Sequence, residues 1–160
     1  MRFIRHLETF KEELFIKNYS QRTIEKYYAS TKAFLNFIDK YYARVKSLNM
    51  ITKDILRDYQ SYLADYKTKK GINLSNRTQS NKIIAIKKFF QFLLNNDLIL
   101  NDPVKDISLP KSEETIIRNI LTEAEVKNIL VNIKLNSHTN IRNKAIIELV
   151  YACGIRTRML

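Results

Sequence analysis

A chain of 160 residues with 28 Lys and Arg against 16 Asp and Glu carries a formal net charge of +12 and a pI near 9.8. That length holds one ordinary domain, or a small domain with part of a second, and the surplus of cations makes a polyanion, duplex DNA first, the partner to consider. One cysteine, Cys153, excludes an internal disulfide framework and a cysteine-rich zinc site, and no apolar run is long enough to span a bilayer.

The start, MRFIRHLETFKEE, has charges throughout and does not read as a secretory signal. A soluble protein of a reducing cytoplasm, without membrane association, is expected, with Cys153 as a small buried apolar residue. Only two glycines and two prolines occur, and apolar residues recur at helical spacing, so an all-α chain of six main helices is predicted.

The first helix spans about Ile4 to Lys17, with Leu7, Phe10 and Leu14 on one stripe. After Asn18-Tyr19, Ser20 is placed to cap a second helix that buries Ile24, Tyr27, Tyr28, Thr31, Phe34, Leu35 and Ile38. Thr52 is placed to cap a third, with Ile55, Leu56, Tyr59, Tyr62, Leu63 and Tyr66 facing inward, which runs out in the basic segment 67–70 before Gly71. Ser75 opens a fourth that reaches about Asn95 and carries Ile83, Ile86, Phe90 and Leu93 on its core stripe.

Asn101-Asp102-Pro103 ends that unit, and residues 103–120, without strong periodicity, read as a linker. The expected division is therefore 1–102, a four-helix domain; 103–120, a linker; and 121–160, the start of another domain. In the last, Leu121-Thr122-Glu123-Ala124-Glu125 has the form of a hydrophobic staple with a Thr-x-x-Glu capping box, leading into Val126, Ile129, Leu130 and Ile133. A sixth helix is predicted from about Ile141 to Cys153, stopping at Gly154.

The charge is uneven: residues 1–102 hold 19 basic and 10 acidic side chains, residues 103–160 hold 9 and 6. Within the first part, the fourth helix opens on Ser75, Arg77, Thr78, Asn81 and Lys82 and continues through Lys87, behind an apolar stripe. Hydroxyls and backbone N–H groups at a helix start accept phosphate, and Arg and Asn on a groove-facing helix read base edges. The second helix repeats the arrangement with Ser20, Arg22, Thr23 and Lys26, so the two helices are the candidate duplex contacts. The plain alternative is that Ser and Thr cap and Lys solvates.

The nine tyrosines sit mostly beside Leu, Ile or Phe at helical spacing and read as core packing with an exposed hydroxyl. His6 and His138 belong to no ligand cluster, and no glycine-rich phosphate loop occurs, so neither metal nor cofactor is expected.

Ser20 to Ile38, Leu74 to Leu93, Asn101-Asp102-Pro103 and Leu109-Pro110-Lys111 together resemble the core-binding domain of the tyrosine recombinase, or phage integrase, family. That resemblance implies a four-helix SAM-like domain followed by an Asn-Pro-type linker motif, from which Asp102 is a departure. Leu121 to Val126 and Arg142 to Arg156 are similar to the opening of the family's catalytic domain.

The resemblance implies that Arg156, in a Gly-Ile-Arg turn, is the first active-site arginine, its guanidinium binding two phosphate oxygens during strand transfer. It also implies a lysine, a His-x-x-Arg arginine, a further His or Trp and a nucleophilic tyrosine, all of which would lie beyond Leu160. Arg158 and Met159 stand where the family has Ser and Glu. The expectation is a DNA-binding portion of a site-specific recombinase that is inactive as this chain alone. The alternative is a basic helical module that associates with itself or with a protein partner such as a full-length recombinase.

Overall fold

A computed structural model describes residues 3–68, 70–111 and 121–154. The chain divides into two compact units, residues 1–114 and 115–160. Among the described residues all regular structure is helical, apart from one isolated antiparallel bridge between Lys67 and Asn73, and no helix is long and apolar enough to cross a membrane.

The first unit consists of α1 (Ile4–Ile16), α2 (Gln21–Tyr41), a 3-10 turn (Leu48–Met50), α3 (Lys53–Asp65) and α4 (Asn76–Asn95). Each α-helix contributes one stripe to a shared core. Leu7, Phe10 and Leu14 come from α1; Ile24, Phe34, Leu35 and Ile38 from α2; Leu56 and Tyr59 from α3; Ile83, Ile86, Phe89, Phe90 and Leu93 from α4. Phe34 meets Tyr59 at 5.0 Å and Phe90 at 6.2 Å between ring centroids, and Phe10 meets Phe89 at 5.3 Å, so aromatic edges tie three helices to α4 or α2.

Helix starts follow local chemistry. Ser20 and Ser75 hold the N-cap positions of α2 and α4, and each hydroxyl accepts from the backbone N–H three residues on, Thr23 and Thr78. Thr52 stands at the N-cap of α3, but its side chain makes no capping bond. Gly71 turns the chain before α4 at φ +75°, in the left-handed region that favours glycine.

Several positions differ from the reading of periodicity. Tyr62 and Tyr66, expected inward, are 36% and 43% exposed. They lie at the edge of the α3 stripe, where a phenol keeps its hydroxyl in water while its ring packs.

The described part of the segment expected as a linker, residues 103–111, packs on the first unit. Val104 and Ile107 enter the core, Gln60 Nε2 donates to Ser108 O at 2.8 Å, Asn76 Nδ2 to Lys111 O at 3.0 Å, and Ser80 Oγ to Pro110 O at 3.1 Å. Two buried apolar residues spaced three apart, with Leu109 exposed after them, are too few to register as a periodic stripe. They are enough to pin a strap.

The second unit contains α5 (Glu123–Asn132) and α6 (His138–Cys153). The Thr122–Glu125 capping box forms in full: Glu125 N–H donates to Thr122 Oγ1, and Thr122 N–H donates to the Glu125 carboxylate at 2.7 Å. The Thr122 N–H bond, with a second bond from the Thr122 hydroxyl at 2.9 Å, holds the Glu125 carboxyl below the ordinary carboxylate range. α6 begins earlier than its apolar residues indicate, because Ser137 accepts from Asn140 N–H and starts the helix there. It ends at Gly154 with φ +60°.

Among the described residues of this unit, Val126 alone is buried. Ile129, expected on a core stripe, is 43% exposed, and Cys153, expected to be buried, is exposed. Two short helices offer each other too little surface to cover the apolar residues they carry.

Candidate nucleic-acid interface

α4 supplies the most cationic described surface of the first unit. From Gly71 to Asn96 there is no carboxylate, while Arg77, Lys82, Lys87 and Lys88 are all present. Arg77 and Asn81 are exposed; Lys82 and Lys87 are half-buried. On α2, Arg22 and Lys26 are exposed. None of Arg22, Lys26, Arg77, Lys82 and Lys87 is in an ion pair among the described residues, whereas Lys17, Lys53 and Arg57 are. Five cations without carboxylate partners leave their full charge to a polyanion.

The polar side chains at the two helix starts divide into those used inside the protein and those left facing out. Ser20 and Thr23 bond to each other at 2.8 Å, and Ser75 and Thr78 at 2.9 Å, in matched Ser-x-x-Thr caps. These four hydroxyls are committed to the helix ends. Gln79 is buried and donates to Leu74 O at 2.9 Å, while Asn76 and Ser80 hold the strap at Lys111 and Pro110. Their amide and hydroxyl groups are spent before any ligand arrives, which leaves Arg77, Asn81 and Lys82 as the outward groups of the first turns of α4.

The two capped starts are not neighbours. α2 and α4 meet where Phe34 faces Phe90 and run antiparallel, so Ser20 and Ser75, each about 20 Å along its helix from that point at ~1.5 Å per residue, stand at opposite ends of the pair. Lys82 instead shares a cleft with Asn36 and Lys40, on the C-terminal half of α2. Sequence reading missed Lys40 because it sits on a helix end among tyrosines rather than at a polar helix start.

Tyrosine hydroxyls are turned to structure as well. Tyr28 donates to Glu8 Oε1 at 2.6 Å, and that bond, ahead of burial, raises its pKa. Tyr42 donates to the Asp58 carboxylate, which, with burial second, pushes its pKa up to about 12. Burial raises the pKa of Tyr59. All three phenols stay protonated at neutral pH, Tyr28 and Tyr42 as hydrogen-bond donors and Tyr59 as a core ring. Arg156 lies outside the described residues.

Comparison with known proteins adds the following. A family model described as phage integrase, N-terminal SAM-like domain, matches residues 7–97. Tyrosine recombinase XerC of Bacillus subtilis is 33% identical over 140 residues, 88% of this chain and 43% of that protein. Tyrosine recombinase XerC of Bacillus pumilus is 32% identical over 144 residues, 90% of this chain and 44% of that protein. Tyrosine recombinase XerD of Oceanobacillus iheyensis is 40% identical over 86 residues, 54% of this chain and 28% of that protein. The chain thus spans less than half the length of each of these three relatives.

Proposed function

The chain belongs to the phage integrase, or tyrosine recombinase, family, and from that premise we propose that its first unit grips duplex DNA as the binding portion of a site-specific recombinase. The observation that carries this reading is the carboxylate-free α4, with Arg77, Lys82 and Lys87 free of ion pairs among the described residues, together with Arg22 and Lys26 at the start of α2, which are likewise in no ion pair among those residues. The separation of the two helix starts suits two contacts on one duplex better than a single anion pocket. Ser20, Thr23, Ser75 and Thr78 serve this surface by fixing the helix starts and by orienting the N–H groups that phosphate would meet. Asn81 is the candidate for base contact.

Strand transfer belongs to the same proposal at the level of the whole recombinase. On its Gly-Ile-Arg sequence we propose Arg156 for phosphate binding at the reacting centre, where a guanidinium would neutralise charge developing on two oxygens.

The test is fluorescence anisotropy with labelled duplex across a salt series. Five phosphate contacts at about 0.9 each give a slope of log affinity against log salt of about 4 to 5. Arg77→Ala lowers affinity by about tenfold and reduces that slope by about one. Absence of duplex binding at low salt overturns the reading.

A second reading, association with a protein partner such as a full-length recombinase, is favoured by the apolar face of α5 and α6, where Ile129, Ile147 and Tyr151 are exposed. Size exclusion with and without DNA separates the two. A complex with the partner formed without DNA, together with no duplex binding, would replace the first reading by the second.

A further inference from the structure

The α2–α3 seam carries a feature that duplex binding does not use. Phe37 and Tyr41 are four apart on α2, and Tyr59, Tyr62 and Tyr66 follow at three and four on α3, so each helix aligns its rings on one stripe. The inner rings, Phe37 and Tyr59, are buried and sit 5.0 Å apart. The outer three continue the row into solvent: Tyr41 to Tyr62 is 6.0 Å and Tyr62 to Tyr66 is 5.9 Å, with exposures of 52%, 36% and 43% for Tyr41, Tyr62 and Tyr66.

They line an open cleft of about 340 Å³, within the range of small-ligand sites. Its polar lining is Asn36, Lys40 and Lys82 besides the phenols, and among the described residues no carboxylate lines it. Lys40 Nζ stands 5.0 Å from the Tyr41 ring centroid, so a cation is held directly at the aromatic row.

The chemistry of that lining selects its occupant. Exposed ring faces favour a flat π-surface, and two ammonium groups without an acidic neighbour among the described residues of the cleft favour an anion attached to it. An apolar peptide would desolvate both lysines with nothing to pair them. A simple anion would leave the rings unused. A base stacked and paired inside a duplex cannot present its face to a tyrosine, so the matching group is a nucleotide outside the stack.

We propose that the cleft between α2 and α3 binds an unpaired nucleotide of a DNA strand, its base against Tyr62 and Tyr66 and its phosphate toward Lys40 and Lys82. The site shares Lys82 with the duplex surface but none of its rings, so the protein distinguishes opened or bulged DNA from the fully paired form.

Binding of the full chain is compared for a paired duplex, the same duplex with a bulge of three thymidines, and a short oligothymidylate. The bulged duplex binds more tightly than the paired one by between about five- and a hundredfold, the worth of stacking a base on an aromatic ring. The double variant Tyr62→Ala, Tyr66→Ala abolishes that preference and leaves paired-duplex affinity unchanged, whereas Tyr62→Phe, Tyr66→Phe retains it. Should the alanine variant fail to fold, Lys40→Glu, at an exposed position, abolishes the preference without touching the rings.

Equal affinity of the parent chain for bulged and paired duplex overturns the proposal, as does a preference that survives both variants. If paired duplex does not bind, oligothymidylate binding lost in the alanine variant still supports the cleft while the duplex reading falls; no binding to either nucleic acid overturns both.

Discussion

Residues 1–114 and 115–160 are built alike at the level of the helix and differ in what the helices bury. In the first unit Phe10, Phe34, Phe89 and Phe90 are at most 1% exposed. In the second, α6 runs sixteen residues with no buried side chain, and Ile146, Ile147 and Leu149 are all more than a third exposed. Yet α5 and α6 start as crisply as α2 and α4, each with a Ser or Thr accepting from the N–H three residues on. Capping decides where a helix begins; burial decides what it costs to lose it.

The sharpest way to break this contrast is to empty the core on one side and the surface on the other. Phe34→Ala removes a ring that touches both Tyr59 and Phe90, and it destabilises the first unit by about 3–5 kcal/mol in denaturant unfolding. Ile147→Ala, at a position 37% exposed, changes the same measurement by less than about 0.5 kcal/mol. Equal effects would refute the contrast.

A smaller effect sharpens it. Thr122→Ala deletes the acceptor of the α5 capping box and costs that helix about 1 kcal/mol, seen as faster amide exchange over residues 123–132 with the melting of the first unit unchanged. Because Glu125 titrates below its ordinary range when folded, its part of the box is present above the unfolded pKa. That part is lost as pH falls through the folded value, so the same exchange quickens in acid.

The smallest effect lies on the alkaline side of the first unit. Tyr42, bonded to Asp58, has its pKa raised from 10.0 to about 12 in the folded state. The stabilisation is complete below pH 10 and is lost as pH rises toward 12. Tyr42→Phe flattens that limb of the stability curve, by well under 1 kcal/mol because the pair is exposed.

The fold was legible wherever a stripe was long or a cap was local: the cores of α1 and α4, that of α2 except for Tyr27 and Tyr28, which were expected buried and are half-buried, and the caps at Ser20, Ser75 and Thr122, follow from residue type and spacing. The strap was not, because Val104 and Ile107 find their partners on elements far away in sequence. Nor was the outward turn of Tyr62 and Tyr66. Periodicity assigns a ring to a stripe without saying which edge of the stripe the neighbouring helix covers.

At the candidate interface the sequence supplied the cations but not the division of labour among their neighbours. Gln79 continues the stripe of Ile83 and Ile86 one turn toward the helix start, but nothing in Ser75 to Lys82 announces that Asn76 and Ser80 are occupied by the strap. Lys40 became visible only when the cleft put it beside Lys82.

The strap has a mechanical consequence. Asn76 and Ser80, which flank Arg77 on the opening turns of α4, hold Lys111 and Pro110 through two side-chain hydrogen bonds. A pull on the chain beyond Lys111 is therefore borne first by those two bonds, loaded together. They act as a breakaway latch: tension must part them, and then the Gln60–Ser108 bond, before it can peel Ile107 and then Val104 from the core. The load path thus begins within one turn of Arg77.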